Sequence, residues 1–149
     1  MASLAEQLGS GDKRRAVVDD ALQVLDQEVA DKSGLTGIAI KGGYKLVQNV
    51  KPGFLRQVVE HLMDDFLAAL DPIYQEAVSR NRPAGAYLVE NKSRVANALL
   101  AVTDRRAERA ESATIKGAYS KLRPIAEKQV EAATPRLAAL LEKHAAPAP

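Results

Sequence analysis

Apolar residues recur at helical spacing along nearly the whole of this chain. From Asp12 to about Ala30 they fall at Val18, Leu22, Leu25 and Val29, the pattern of a helix that buries one stripe, with Asp12 placed to cap it. Lys32-Ser33-Gly34 interrupts the pattern. A second helix is expected from about Thr36 to Asn49, with Leu35, Ile38, Gly42, Leu46 and Val50 turned inward. Pro52 closes it and opens a third, because proline suits a first helical turn and not an interior. The third stripe, Leu55, Val58, Val59, Leu62, Phe66 and Leu70, is the most strongly amphipathic, and Asp71-Pro72 reads as a capped restart bearing Ile73, Tyr74 and Val78. Asn, Pro and Gly cluster between Ser79 and Gly85 and mark a joint. Beyond it, Val95, Leu99, Val102 and the stem of Arg106 line one helix, and Ile115, Tyr119 and Leu122 line a shorter one ending at Pro124. Ala126, Val130, Ala133, Leu137, Leu140 and Leu141 line the last, with a kink or restart at Thr134-Pro135 and a frayed tail over 145–149. Nothing alternates with period two over a useful length, which excludes a substantial sheet.

The halves echo one another. Val17, Leu22, Val24 and Asp26 recur at the spacing of Val95, Leu100, Val102 and Asp104, and each set is followed by a near-copy, Ile40-Lys41-Gly42-Gly43-Tyr44 and then Ile115-Lys116-Gly117-Ala118-Tyr119. The expected fold is therefore all-α, a helical bundle of two similar units of about three helices each. One domain spans 1–149, with units at about 12–78 and 84–144.

Composition narrows the chemistry. Aromatics make up 4% of the 149 residues and Trp is absent, so the core must be built from Leu, Val, Ile and Ala. There is no Cys, hence no disulfide, thiolate nucleophile or Cys-ligated metal. No segment has the apolar length of a signal peptide or a membrane span, which reads as a cytoplasmic protein. The net charge of +2 is uneven: residues 1–75 hold 8 Lys+Arg against 11 Asp+Glu, and residues 76–149 hold 13 against 8. Lys13-Arg14-Arg15 and Arg105-Arg106-Arg109 lack interleaved aromatics for base stacking, which argues against a nucleic-acid partner.

Two features invite a site. A glycine pair inside a helix costs about 2 kcal/mol relative to alanine, a cost that close crossing of another helix offsets. The rival use, glycine amides and Lys41 or Lys45 around a phosphate, lacks either phosphate-loop motif. Asp26 and Asp104 occupy equivalent positions, as do Lys41 and Lys116. The expectation is two partly buried ion pairs that fix how each first helix meets its second, with Tyr44 and Tyr119 beside them. The same acids, with Glu28 and Glu108, carry the alternative of a metal or acid–base site. His61, Asp65, Glu60 and Asp64 read as a solvated face of the third helix, and His144 as part of a loose end.

In Leu25–Gly37 (LDQEVADKSGLTG) and Ala98–Glu108 (ALLAVTDRRAE) the chain resembles a family of small bacterial proteins known only as an uncharacterised domain of unknown function. The resemblance runs from about Asp12 to His144. It implies a free-standing helical protein and brings no catalytic, metal or cofactor residue with it. The expected function is a non-enzymatic interaction or scaffold protein, self-associating through an apolar strip of the third helices. The alternative is a carrier or peripheral binder of an apolar, acyl-chain-like ligand; an enclosed apolar cavity would favour the carrier, an exposed apolar patch the protein partner.

Overall fold

Ser3 starts the first helix with a reciprocal cap: its hydroxyl accepts from the Glu6 amide at 3.1 Å, and the Glu6 carboxylate accepts from the Ser3 amide. This computed structural model describes residues 2–145, and among them the chain forms seven α-helices and no strand. They are α1 (Leu4–Leu8), α2 (Gly11–Asp31), α3 (Gly34–Gln48), α4 (Phe54–Ser79), α5 (Ala84–Glu90), α6 (Lys92–Glu108) and α7 (Ala113–His144). The short helices α1 and α5 do not follow from the hydrophobic pattern, since each is too short to show a period. Their anchors are specific. Leu4 and Leu8 are fully buried, and the Leu4 amide donates to the Asp71 carboxylate at 2.8 Å. The Gly85 amide at the start of α5 donates to Glu142 of α7 at 3.0 Å.

Two prolines expected to interrupt helices, and a third expected to kink or restart one, lie inside continuous helices. Pro72 lies inside α4, and Pro124 and Pro135 lie inside the 32-residue α7, so the restart at Asp71-Pro72 and the stop at Pro124 are both absent. Each proline gives up one backbone bond, but each sits on an exposed face. For Pro72 and Pro124 the freed carbonyls four residues earlier belong to exposed Ala68 and Ser120 and turn to water. Burial of Leu70, Ile73, Tyr74 and Ala77 on one side of α4, and of Thr134, Ala138, Leu140 and Leu141 on α7, outweighs that loss. Asp71 is freed from capping and ties α1 to α4. Ser10, not Asp12, holds the cap position of α2, and Asp12 instead pairs with Arg15 at 3.5 Å.

A contiguous core joins α1, α2, α4, α5, α6 and α7. Of the strip expected inward on α4, Val59 and Leu70 join it, together with Met63 and Leu67, which the pattern does not mark, while Leu55, Val58 and Phe66 are half-buried. The strip of α3 does not join it. Leu35 is 87% exposed and Ile38 71%, Leu46 and Val50 are also exposed, and Gly37 is the one fully buried residue of the helix. The face that packs inward is instead Gly37, Ile40, Tyr44 and Val47. The helix has apolar residues on both faces, and periodicity alone does not say which one the protein covers. At the other end of the chain His144 is not loose: its ring is nearly buried and meets the Asp20 carboxylate at 2.6 Å, with Lys143 joining at 2.9 Å. These contacts hold the Asp20 carboxyl below its usual range, the His144 hydrogen bond acting most strongly. Of the expected frayed tail, 146–149 lie outside the described residues, and Ala145 is buried.

Candidate functional site

Between the first half of α4, the end of α6 and the start of α7 the helices stop short of full packing. They leave an apolar groove of about 450 Å³, open on one side. Its floor and walls are Phe54, Val58 and Leu62 of α4, Ala107 and Ala110 at and after the end of α6, and Ile115, Ala118 and Leu122 of α7, with Val47 of α3 at one edge. Ala107, Ala110 and Ala118 are small residues facing the groove, and α3 packs against α7 beside it. A Cβ built on Gly43 would fall 2.7 Å from Leu122 Cδ1, so glycine is what lets α3 approach there. The close-crossing role expected of the glycine pair thus belongs to Gly43. Gly42 and Gly117 face open space.

Polar groups line the rim. Arg106 donates from one terminal nitrogen to Asp65 at 3.1 Å and to the His61 carbonyl at 3.3 Å. Its remaining guanidinium N–H groups have no partner among the described residues. His61 Nδ1 lies 2.8 Å from the Gln57 carbonyl, so Nδ1 carries the proton and Nε2 is left with a free lone pair when the ring is neutral. The Tyr119 hydroxyl is already engaged, donating to Asp104 at 2.5 Å and lying 2.7 Å from Thr103 Oγ1.

The six residues singled out in the sequence divide unequally. Tyr44 donates to Asp26 across α2 and α3, and Tyr119 donates to Asp104 across α6 and α7, where Arg123 adds a two-point pair at 2.8 and 3.2 Å. The acids therefore meet the tyrosines, not the lysines. Lys41 and Lys116 are exposed and meet no acid among the described residues. A phenol crosses a half-buried helix interface at far lower desolvation cost than an ammonium, which keeps its water by staying outside. Burial, then the neighbouring carboxylate, raises both tyrosine hydroxyls above their usual range, while Arg123 and then Tyr119 lower Asp104. Asp26 and Tyr44 border a separate, more polar cleft of about 320 Å³, divided from the groove by Phe54. Glu28, proposed as a co-ligand of these acids, is instead bound to Lys32 and Arg136. No three His, Asp or Glu side chains converge on one point among the described residues.

Of the rim residues, sequence reasoning assigned His61 to a solvated face and counted Arg106 in a basic surface cluster, its stem alone in the apolar line of its helix. A signal was present: Phe54, Val58 and Leu62 add a second apolar edge beside the core stripe of α4, and His61 sits on that edge.

Fold and site together define an all-α protein with an open apolar groove rimmed by an arginine. The chain belongs to a family of unknown function, DUF6918, whose model matches residues 4–145. No curated protein and no solved structure matches it.

Proposed function

We propose that this protein is a non-enzymatic binder of an amphipathic molecule with an acyl-like chain and an anionic head. The observation that carries this reading is the groove itself, open on one side and not the enclosed cavity expected of a carrier: about 450 Å³, within the usual ligand-pocket range of roughly 300–1,000 Å³, almost wholly apolar, and with spare Arg106 donors at its rim. The chain enters between Val58, Ala107, Ala118 and Leu122, where burial drives binding. The carboxylate pairs with Arg106, whose planar fork suits that geometry. Titration of the full chain with a sixteen-carbon fatty acid, followed by calorimetry, tests it. Saturable binding is expected, abolished by Ala118→Phe, which fills the groove. Arg106→Gln weakens the acid and leaves the corresponding alcohol unaffected. Binding unchanged in Ala118→Phe refutes the assignment.

The second reading, an interaction or scaffold protein, is favoured by one observation, the exposed apolar strip of α3. Self-association through the third helices has less support, because the strip of α4 is divided between the core, at Val59 and Leu70, and the groove, at Val58 and Leu62. We also read the halves as related units, with the Asp26–Tyr44 and Asp104–Tyr119 contacts in support; superposing 15–70 on 93–141 and bringing Tyr44 onto Tyr119 is the check. A reducing cytoplasm suits a chain without cysteine.

A further inference from the structure

The helix α3 carries more apolar surface than its neighbours cover, and its surroundings say what kind of partner fits. Leu35, Ile38 and Leu46 lie on one side of the helix, opposite the packed face of Gly37, Ile40, Tyr44 and Val47, and Val50 extends the strip past the helix end. The flank bears exposed Lys41 and Lys45, with exposed Lys51 in the turn that follows. Between Asp31 and Glu60 the sequence contains no acid, although the whole chain nets only +2. Lys32 is neutralised by Glu28 and Arg56 by Asp19, but Lys41, Lys45 and Lys51 have no carboxylate partner among the described residues. No helix there is long and apolar enough to cross a membrane.

We propose that α3 docks the protein on an anionic lipid surface, lying in the interface with Leu35, Ile38, Leu46 and Val50 among the acyl chains and Lys41, Lys45 and Lys51 at the headgroups. An apolar strip edged by lysines without carboxylate partners is the arrangement of an interfacial helix, and lysine stems reach along the strip while their ammonium groups stay with the phosphates. A fluid bilayer accepts isolated aliphatic side chains without shape complementarity. A protein interface relies on large aromatic or arginine anchors, and the one aromatic of α3, Tyr44, is tied to Asp26 on the inner face. Val47 of the same helix edges the groove, so a docked α3 brings the groove to the bilayer from which an acyl chain is taken. The inference deepens the ligand-binding reading but stands on separate residues.

Co-sedimentation of the full chain with vesicles of phosphatidylcholine, with and without about one-third phosphatidylserine, tests it. Wild type should bind the anionic vesicles and release in 0.5 M salt. Lys41→Gln with Lys45→Gln should lower that partitioning about 25-fold, at roughly fivefold per lysine near the surface. Leu35→Gln with Ile38→Gln should lower it at least about tenfold with an unchanged thermal melt, since both side chains are exposed. Ala118→Phe should keep vesicle binding while losing the fatty acid, which separates failure of the dock from failure of the groove. Equal binding to neutral and anionic vesicles, no binding to either, or full binding by the Leu35/Ile38 variant would overturn the proposal. So would a dimer of the wild type in sedimentation velocity that the same variant dissolves, which would give the face to a second copy.

Discussion

The two ends of the bundle are built to different standards. At one end α1, the second half of α4, α5 and the end of α7 enclose Leu4, Leu8, Ala77, Leu88 and Leu141, each at 2% exposure or less. At the other, α3 buries one glycine, and α4, α6 and α7 leave a groove where the first end has a core. The closed end is also stitched by polar contacts: Arg94 and the Tyr87 hydroxyl converge on Glu76, and Glu142 receives the α5 amide. The open end carries two tyrosine–aspartate contacts, one glycine crossing and more exposed ion pairs, Arg56–Asp19, Arg106–Asp65 and Arg123–Asp104. A protein that needed only to be stable would close both ends, and the difference is what the proposed binding role would require.

The largest expected difference between the ends is in side-chain truncation. Leu141→Ala should cost about 2–5 kcal/mol, as buried leucines do, whereas Leu35→Ala should stay within about 0.5 kcal/mol. Denaturant unfolding measures both, and comparable losses would erase the distinction. Next comes glycine. A Cβ on Gly85 meets the Glu142 carboxyl and threatens the hydrogen bond it accepts, so Gly85→Ala should lose about 1–3 kcal/mol. Gly42→Ala meets nothing and should gain up to about 1 kcal/mol from helix propensity. A loss at Gly42 would show that its surroundings are covered.

Smaller and more selective effects come from pH. The Arg94 and Tyr87 hydrogen bonds lower the Glu76 carboxyl to about 2 from its usual 4.5. The folded state then holds fewer protons than the unfolded one, so this support is complete above pH 4.5 and drains away as the pH falls towards 2. Asp104, lowered in the same sense by Arg123, weakens the open end on that same acid limb. The basic limb is the discriminating one. Tyr44 and Tyr119 titrate above the usual value of 10, so the stability they give is complete below pH 10 and is lost as the pH rises through their raised values. Loosening in alkali should therefore begin at α3 and the start of α7, and Tyr119→Phe should reproduce part of it at neutral pH, costing about 0.5–1.5 kcal/mol. An alkaline loss of stability in Tyr119→Phe as large as that of the wild type would contradict this assignment.

The sequence exposes the helical class and most long elements, because a period of 3.6 over fifteen or more residues is hard to produce otherwise. It misjudges Pro72 and Pro124 because local breaking is a propensity, and tertiary burial of Tyr74 or Leu141 outweighs it. It places the α3 strip inward because two apolar faces leave the choice to the neighbours, which meet the helix at Gly37, Gly43 and Tyr44. Asp26 and Asp104 are expected to pair with Lys41 and Lys116, but their partners are the tyrosines one turn beyond the lysines, a choice made by desolvation. The groove is illegible in one dimension: Val58, Ala107, Ala118 and Leu122 come from three helices, and a void among them follows from how the helices diverge.

Residue-resolved hydrogen exchange of the full chain, with and without the sixteen-carbon fatty acid, tests the central claim most directly. The account predicts that amides of α3 and of Ala113–Leu122 open at low free energy and gain protection with ligand, while those of Ile73–Ala77 and Leu88 stay at the global limit in both states. Uniform protection along the chain, unmoved by the fatty acid, would contradict it.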